Sequence, residues 1–164
     1  MVIIEEVNSE VFKQLPLMEN FKPVYKWGNE HHLIKQLKLF EKNGKSPYPL
    51  IYQTSNKSNQ NKTTKIAETD LVFILACRNL ETDLLNENRW AMSYKNILYP
   101  LVDNITTAFN KAGVYVWDGS FSVEEFPNYG NGKENKTVDI WDALLFKASI
   151  KIDGKKCINQ NIKF

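Results

Sequence analysis

Histidine and cysteine are scarce in this chain, and neither is spaced for chemistry. Two histidines occur in 164 residues, side by side at His31 and His32. Adjacent residues on a helix point about 100° apart, so this pair does not readily share a metal ion. With no His-x-x-His or Cys-x-x-Cys spacing beside them, they read as surface residues near a helix start. The two cysteines are far apart. Cys77 closes an apolar run and reads as a small buried hydrophobe, and nothing about Cys157 suggests a secreted disulfide scaffold. Long apolar runs are missing as well: none approaches the roughly 20 residues of a membrane-spanning helix. Met1 to Glu6 lacks the basic and apolar regions of a signal peptide. The expectation is a soluble protein of a reducing cytoplasm, with no membrane contact.

Other absences bear on chemistry. No Gly-x-x-x-x-Gly-Lys loop or Gly-x-Gly-x-x-Gly turn follows a strand, and Gly130-Asn-Gly132 is only a two-glycine turn. Gly119-Ser120 does not extend to a Gly-x-Ser-x-Gly nucleophile turn. Glu5-Glu6, Glu81 with Asp83, and Glu124-Glu125 are neighbours in sequence, which by itself does not place two carboxylates across a cleft. Neither an enzyme nor a cofactor is expected. Charge of one sign is lacking too. The chain carries 21 basic and 19 acidic residues, net +2, mixed along its length without the basic block of a duplex-DNA binder.

What is present is enough apolar material for one core: 43% apolar and 12% aromatic residues, in a length that suits a single domain, 1–164. Residues 5–18 read as a short helix capped by Asn8 or Ser9, with Val11, Phe12 and Leu15 as its apolar stripe. Phe21 to Trp27 reads as a short strand or extended arm, and Pro23 favours an edge. Asn29 caps a clearer amphipathic helix with Leu33, Leu37 and Phe40 on one side and Gly44 past its end. Pro47 to Gln53 is a strand. Residues 54–65 are polar throughout, a mobile loop or hairpin tip. Asp70 to Arg78 is apolar on both faces, as a central strand covered on both sides would be.

The stretch 86–112 keeps helical spacing through Trp90, Tyr94, Ile97, Leu98, Leu101, Val102, Ile105 and Phe109. Pro100 inside it predicts a kink near Asn96–Ile97 or a split. Val114 to Trp117 is a candidate strand, and 118–136 is turn-rich. Ile140 to Ile152 has the cleanest period of two, with Leu144, Phe146, Ala148, Ile150 and Ile152 on one face and Lys147, Ser149 and Lys151 on the other. The fold class predicted is α+β: a mixed, mainly antiparallel sheet flanked by helices, one compact domain with extended loops. Those extensions are an N-terminal arm (1–28), the polar loop (54–65) and an insertion (113–137).

Candidate contact residues lie in these extensions. Lys57, Lys62 and Lys65 sit among amides and hydroxyls in the polar loop. It reads equally as a solvated hairpin tip and as a contact arm that orders against a neighbour. Among the aromatics, Trp90 and Trp141 are expected in the core. Trp117, Phe121 and Tyr129, in the insertion, are expected at an interface.

Three stretches carry a resemblance. Tyr48-Pro-Leu-Ile-Tyr52 looks like the opening strand, and Asn88 to Asn104, with its Tyr99-Pro100 step, like the long helix, of the bacteriophage tail terminator and tail-completion family. Val138 to Ile152 looks like the terminal strand of that family. The match covers most of residues 29–152, as an order of elements, with the arm and the insertion as departures. The resemblance implies a virion protein of the head–tail junction or tail, assembled in a host bacterial cytoplasm as a homo-oligomeric ring. Members form rings of six, and a place directly against the portal favours twelve. Its partners would be portal, connector and tail proteins, around a lumen open to non-specific contact with passing DNA. The family supplies no catalytic residues. The alternative is a small-molecule or carbohydrate-binding module using the aromatic residues of 113–137.

Overall fold

The computed structural model describes residues 1–54, 57–78, 86–129 and 141–164, with the backbone alone for 86, 128 and 129. Its centre is the period-two run. Strands β4 (Ile66–Arg78) and β7 (Trp141–Asp153) pair antiparallel along their whole length, from Ile66 opposite Asp153 to Arg78 opposite Trp141. Leu144, Phe146, Ala148, Ile150 and Ile152 are buried on one face while Lys147, Ser149 and Lys151 are exposed, as the alternation predicts. Residues 138–140 of the anticipated strand lie outside the described residues.

The sheet widens on both sides of this pair. β2 (Leu50–Thr54) runs antiparallel to β4, and β1 (Val24–Gly28) lies parallel to β2 at the outer edge. β3 (Ser58–Asn61) pairs with the start of β4 beyond β2. Gln53 and Ser58 are five positions apart in sequence, and their partners on β4, Phe73 and Thr69, are four apart. β2 and β3 therefore follow one another along the same side of β4. Beyond β7, β5 (Tyr115–Val116) and β6 (Ser122–Tyr129) share the opposite side in the same way. The result is a mixed, mainly antiparallel sheet of seven strands among the described residues, in an α+β domain.

Helices cover one face. α1 (Ile4–Phe12) and the long helix lie there, and Phe12, Phe73, Phe109 and Phe146 meet at ring separations of 5.6 to 6.4 Å. Each such side chain contributes about 1.5–3 kcal/mol by leaving water. The long helix has three parts: α3 (Asn86–Arg89), a π-helical segment (Trp90–Leu98) and α4 (Tyr99–Lys111). Pro100 has no N–H to donate, and before it Tyr99 N–H reaches back five residues to the Tyr94 carbonyl. The predicted disturbance therefore takes the form of wide turns without a break. A wide turn advances each residue by less than the usual ~100°, so positions four apart drift off the stripe. Trp90, expected in the core, is accordingly 46% exposed.

On the other face α2 (Glu30–Lys42) covers one end of the sheet. Leu33 and Leu37 pack with Tyr48, Leu50, Tyr52, Ala76, Trp141 and Ala143. The Asn29 side chain accepts from His32 N–H, the cap the sequence predicts, and Gly44 takes φ +62° past the helix end. Tyr52 donates to the Asn29 carbonyl at 2.8 Å, and buried Trp141 donates its indole N–H to Tyr48 at 2.6 Å.

Several expectations are corrected here. Residues 1–28 do not extend as an arm: α1 packs on the sheet and β1 belongs to it, at the edge that Pro23 predicts. Helix α1 begins earlier, at Ile4, so Asn8 and Ser9 lie inside it and neither is its cap. The polar loop is the hairpin tip that the sequence allowed, but one arm of it is the strand β3, whose outer side has no partner strand among the described residues, so its residues need no apolar alternation. The described part of the insertion, 113–129, is largely sheet: β6 takes its hydrogen bonds from β7, though its exposed side chains give the sequence little strand signal. β4 is covered on both faces only toward Ala76, because Glu68 and Asp70 point away from the helices and are exposed.

Candidate assembly surface

The structure disperses the predicted contact residues around one region of the sheet. Lys62 and Lys65 lie in the turn between β3 and β4, where Asn61 Oδ1 accepts from Thr63 and Thr64 N–H at 3.0 Å each. Lys65 adopts φ +58°, and its carbonyl accepts from Gly154 N–H at 2.9 Å, which ties this turn to the end of β7. Lys57 precedes β3, its carbonyl accepting from the Thr69 hydroxyl at 3.2 Å.

Trp117 and Phe121 come together between β5 and β6. Trp117 is half-buried, packs edge-on against Phe109 at 5.5 Å and donates its indole N–H to the Ser120 carbonyl at 3.1 Å. Phe121 stacks on Phe146 at 5.4 Å and stays 45% exposed. Both rings thus close the margin of the core as well as facing outward. The side chain of Tyr129 lies outside the described residues.

Lys57 and Trp117 meet across a concavity of about 550 Å³ that Glu68, Asp70, Asp118 and Lys151 also line. Its charges answer one another: Lys151 pairs with Glu68 at 2.7 Å, and the Ser149 hydroxyl donates to Asp70 at 2.5 Å. These groups belong to the sheet face opposite the helices. Farther along that face the surface becomes apolar, with a 240 Å³ groove lined by Ile74, Phe126, Ala143 and Leu145 beside α2. Among the described residues α2 is the only helix packed on this face, so much of β4, β7 and β6 presents an open sheet surface.

Two buried polar clusters were not legible in the sequence, and both are structural. In one, Asn8 is wholly buried, donates to Gln53 at 2.7 Å and accepts from Tyr115 at 2.8 Å, while Tyr25 donates to the same Gln53 oxygen at 2.6 Å. Burial raises the pKa of Tyr25 and Tyr115 well above the ordinary tyrosine value. In the other, Asp142 accepts from the Ser93 hydroxyl at 2.6 Å and lies 3.7 Å from Arg89, all three being buried. Cys77 is beside it, its thiol pushed up to about 12 by burial, which keeps it protonated and unreactive. That agrees with the reading of Cys77 as a buried hydrophobe. Cys157 is exposed.

His31 and His32 are exposed on the first turn of α2. Among the described residues no group of three or more His, Cys, Asp or Glu side chains could hold a metal ion. Nor is any described helix long and apolar enough to cross a membrane. Glu81 and Asp83 lie outside the described residues. Neither protein-family models nor curated proteins give a match to this chain.

Proposed function

We propose that this chain is a structural subunit of a bacteriophage head–tail junction, a ring-forming tail terminator or neck protein that caps the tail or joins it to the portal vertex. The observation that carries the reading is the lopsided sheet. Helices seal one face, while much of the other face beyond α2 and the outer edges of β1 and β6 have no partner strand or helix among the described residues. A ring subunit needs two different surfaces that meet head to tail and close by rotation. A rigid sheet with two dissimilar edges supplies them.

The stretches that resemble the family support it further. They become β2, the π-to-α4 helix and β7, and they pack together as the frame of the domain. Mixed surface charge suits a lumen that lets DNA pass without gripping it. The test is particle size by light scattering and negative-stain imaging, alone and with purified tails or connectors. Closed rings that join tails support the proposal, and a monomer that joins neither defeats it.

The concavity beside Trp117 favours a second reading, a small-molecule or carbohydrate-binding module. In that case binding to a glycan panel would persist in the monomer and vanish in Trp117→Ala.

A further inference from the structure

The two edges of the sheet are matched to each other. Following the pairing across the sheet, Lys26 in β1 stands opposite Tyr52, then Ile74, then Leu145, then Glu124 in β6. A base and an acid thus end the same cross-strand row and project from the same face. One row along, Trp27 and Val123 end the row through Gln53, Phe73 and Phe146, on the helical face. Both are exposed apolar residues, at 44% and 37%.

Strand direction and length agree as well. β1 is parallel to β2, and each later step, β2 to β4, β4 to β7 and β7 to β6, is antiparallel, so β1 and β6 run in opposite directions. β1 has five residues, Val24–Gly28. The regular pairing of β6 also spans five, Ser122 to Phe126, after which the register shifts before Tyr129 and Pro127 interrupts the donors.

From this the geometry points to the β1 edge of one copy pairing antiparallel with the β6 edge of the next, Lys26 opposite Glu124 and Trp27 opposite Val123, so that one sheet runs on from subunit to subunit. The inference rests on the ring reading above and specifies its interface. Backbone hydrogen bonds give the contact its strength, and the charged and apolar pairs fix its register. The two edges are different surfaces, so the contact is heterologous and builds a ring or chain, never an isolated symmetric dimer.

The test uses the full chain carrying Cys157→Ser, with Trp27→Cys and Val123→Cys introduced singly and together, treated with a short bis-maleimide. The double variant should give a ladder of covalent oligomers up to the ring, and each single variant none. Independently, Lys26→Glu and Glu124→Lys should each lose most of the ring, and the two combined should restore it. Far-UV circular dichroism of every variant confirms folding, and Glu124→Lys leaves the stacking of Lys26 on Phe40 intact. Rings without the ladder and indifferent to both charge reversals overturn this interface while the ring reading stands. Covalent dimers from either single cysteine variant overturn it too, since an edge would then meet its own kind. A chain monomeric at every concentration defeats both.

Discussion

Replacing Asn8 by leucine tests the buried polar cluster under the sheet. The two side chains have nearly the same volume, so the cavity contribution is small and the loss is polar. Two hydrogen bonds disappear, those with Gln53 at 2.7 Å and Tyr115 at 2.8 Å, each contributing about 1 kcal/mol. The Tyr115 hydroxyl is left buried without its acceptor, for roughly 1–2 kcal/mol more. Asn8→Leu should therefore destabilise the fold by about 2–4 kcal/mol, lowering Tm by around 10 °C in a domain of this size. Tyr115→Phe alone should cost about 1–2 kcal/mol. The double variant should cost clearly less than the sum, because phenylalanine removes the hydroxyl that leucine orphans. Urea unfolding followed by tryptophan fluorescence gives all four corners of the cycle. Additivity within about 0.5 kcal/mol would refute the bonded pair.

Further outcomes follow from other sites. Asp142→Ala removes the buried carboxylate that accepts from the Ser93 hydroxyl at 2.6 Å and lies 3.7 Å from Arg89, and should cost about 1.5–3 kcal/mol in the same urea assay; a loss below about 0.5 kcal/mol contradicts it. Gly28→Ala places a methyl group 2.9 Å from His32 Nδ1 and 3.0 Å from the Tyr52 hydroxyl at φ +138°, so it should destabilise by roughly 1–3 kcal/mol. An unchanged urea midpoint would count against that crowding. With a thiol reagent at pH 8, the native chain should show one fast thiol, Cys157, and two only after unfolding; fast reaction at both in the native state would contradict the burial of Cys77. Burial also raises the Cys77 thiol and the Tyr52 hydroxyl to about 12 and raises Tyr25, Tyr94 and Tyr115. The unfolded chain loses these protons first, from about pH 9 upward, so stability held below that pH should fall as pH climbs toward 12. A Tm constant from pH 8 to 11 would contradict this.

The sequence was most legible where one physical rule dominates. The alternation in β7, the Asn29 cap of α2 and the edge position that Pro23 favours for β1 are all present in the structure. It was least legible at β3 and β6. Those strands exist because β4 and β7 offer backbone partners, and their own exposed side chains carry little pattern. Trp90 misled because the π-helical turns shift the phase of the helix, which a fixed period cannot anticipate. Asn8 looked like a cap by residue type, yet its partners Gln53 and Tyr115 are 45 and 107 residues away. The matched rows that end in Lys26 with Glu124 and Trp27 with Val123 appear only once the register of five strands is known.

The central claim is that this chain assembles head to tail into a closed ring. Native mass spectrometry of the purified full-length chain across a concentration series measures that most directly. A single closed species of six or twelve copies, without a dominant dimer, is the result expected. A chain that stays monomeric at the highest concentration, or stops at a symmetric dimer, contradicts it.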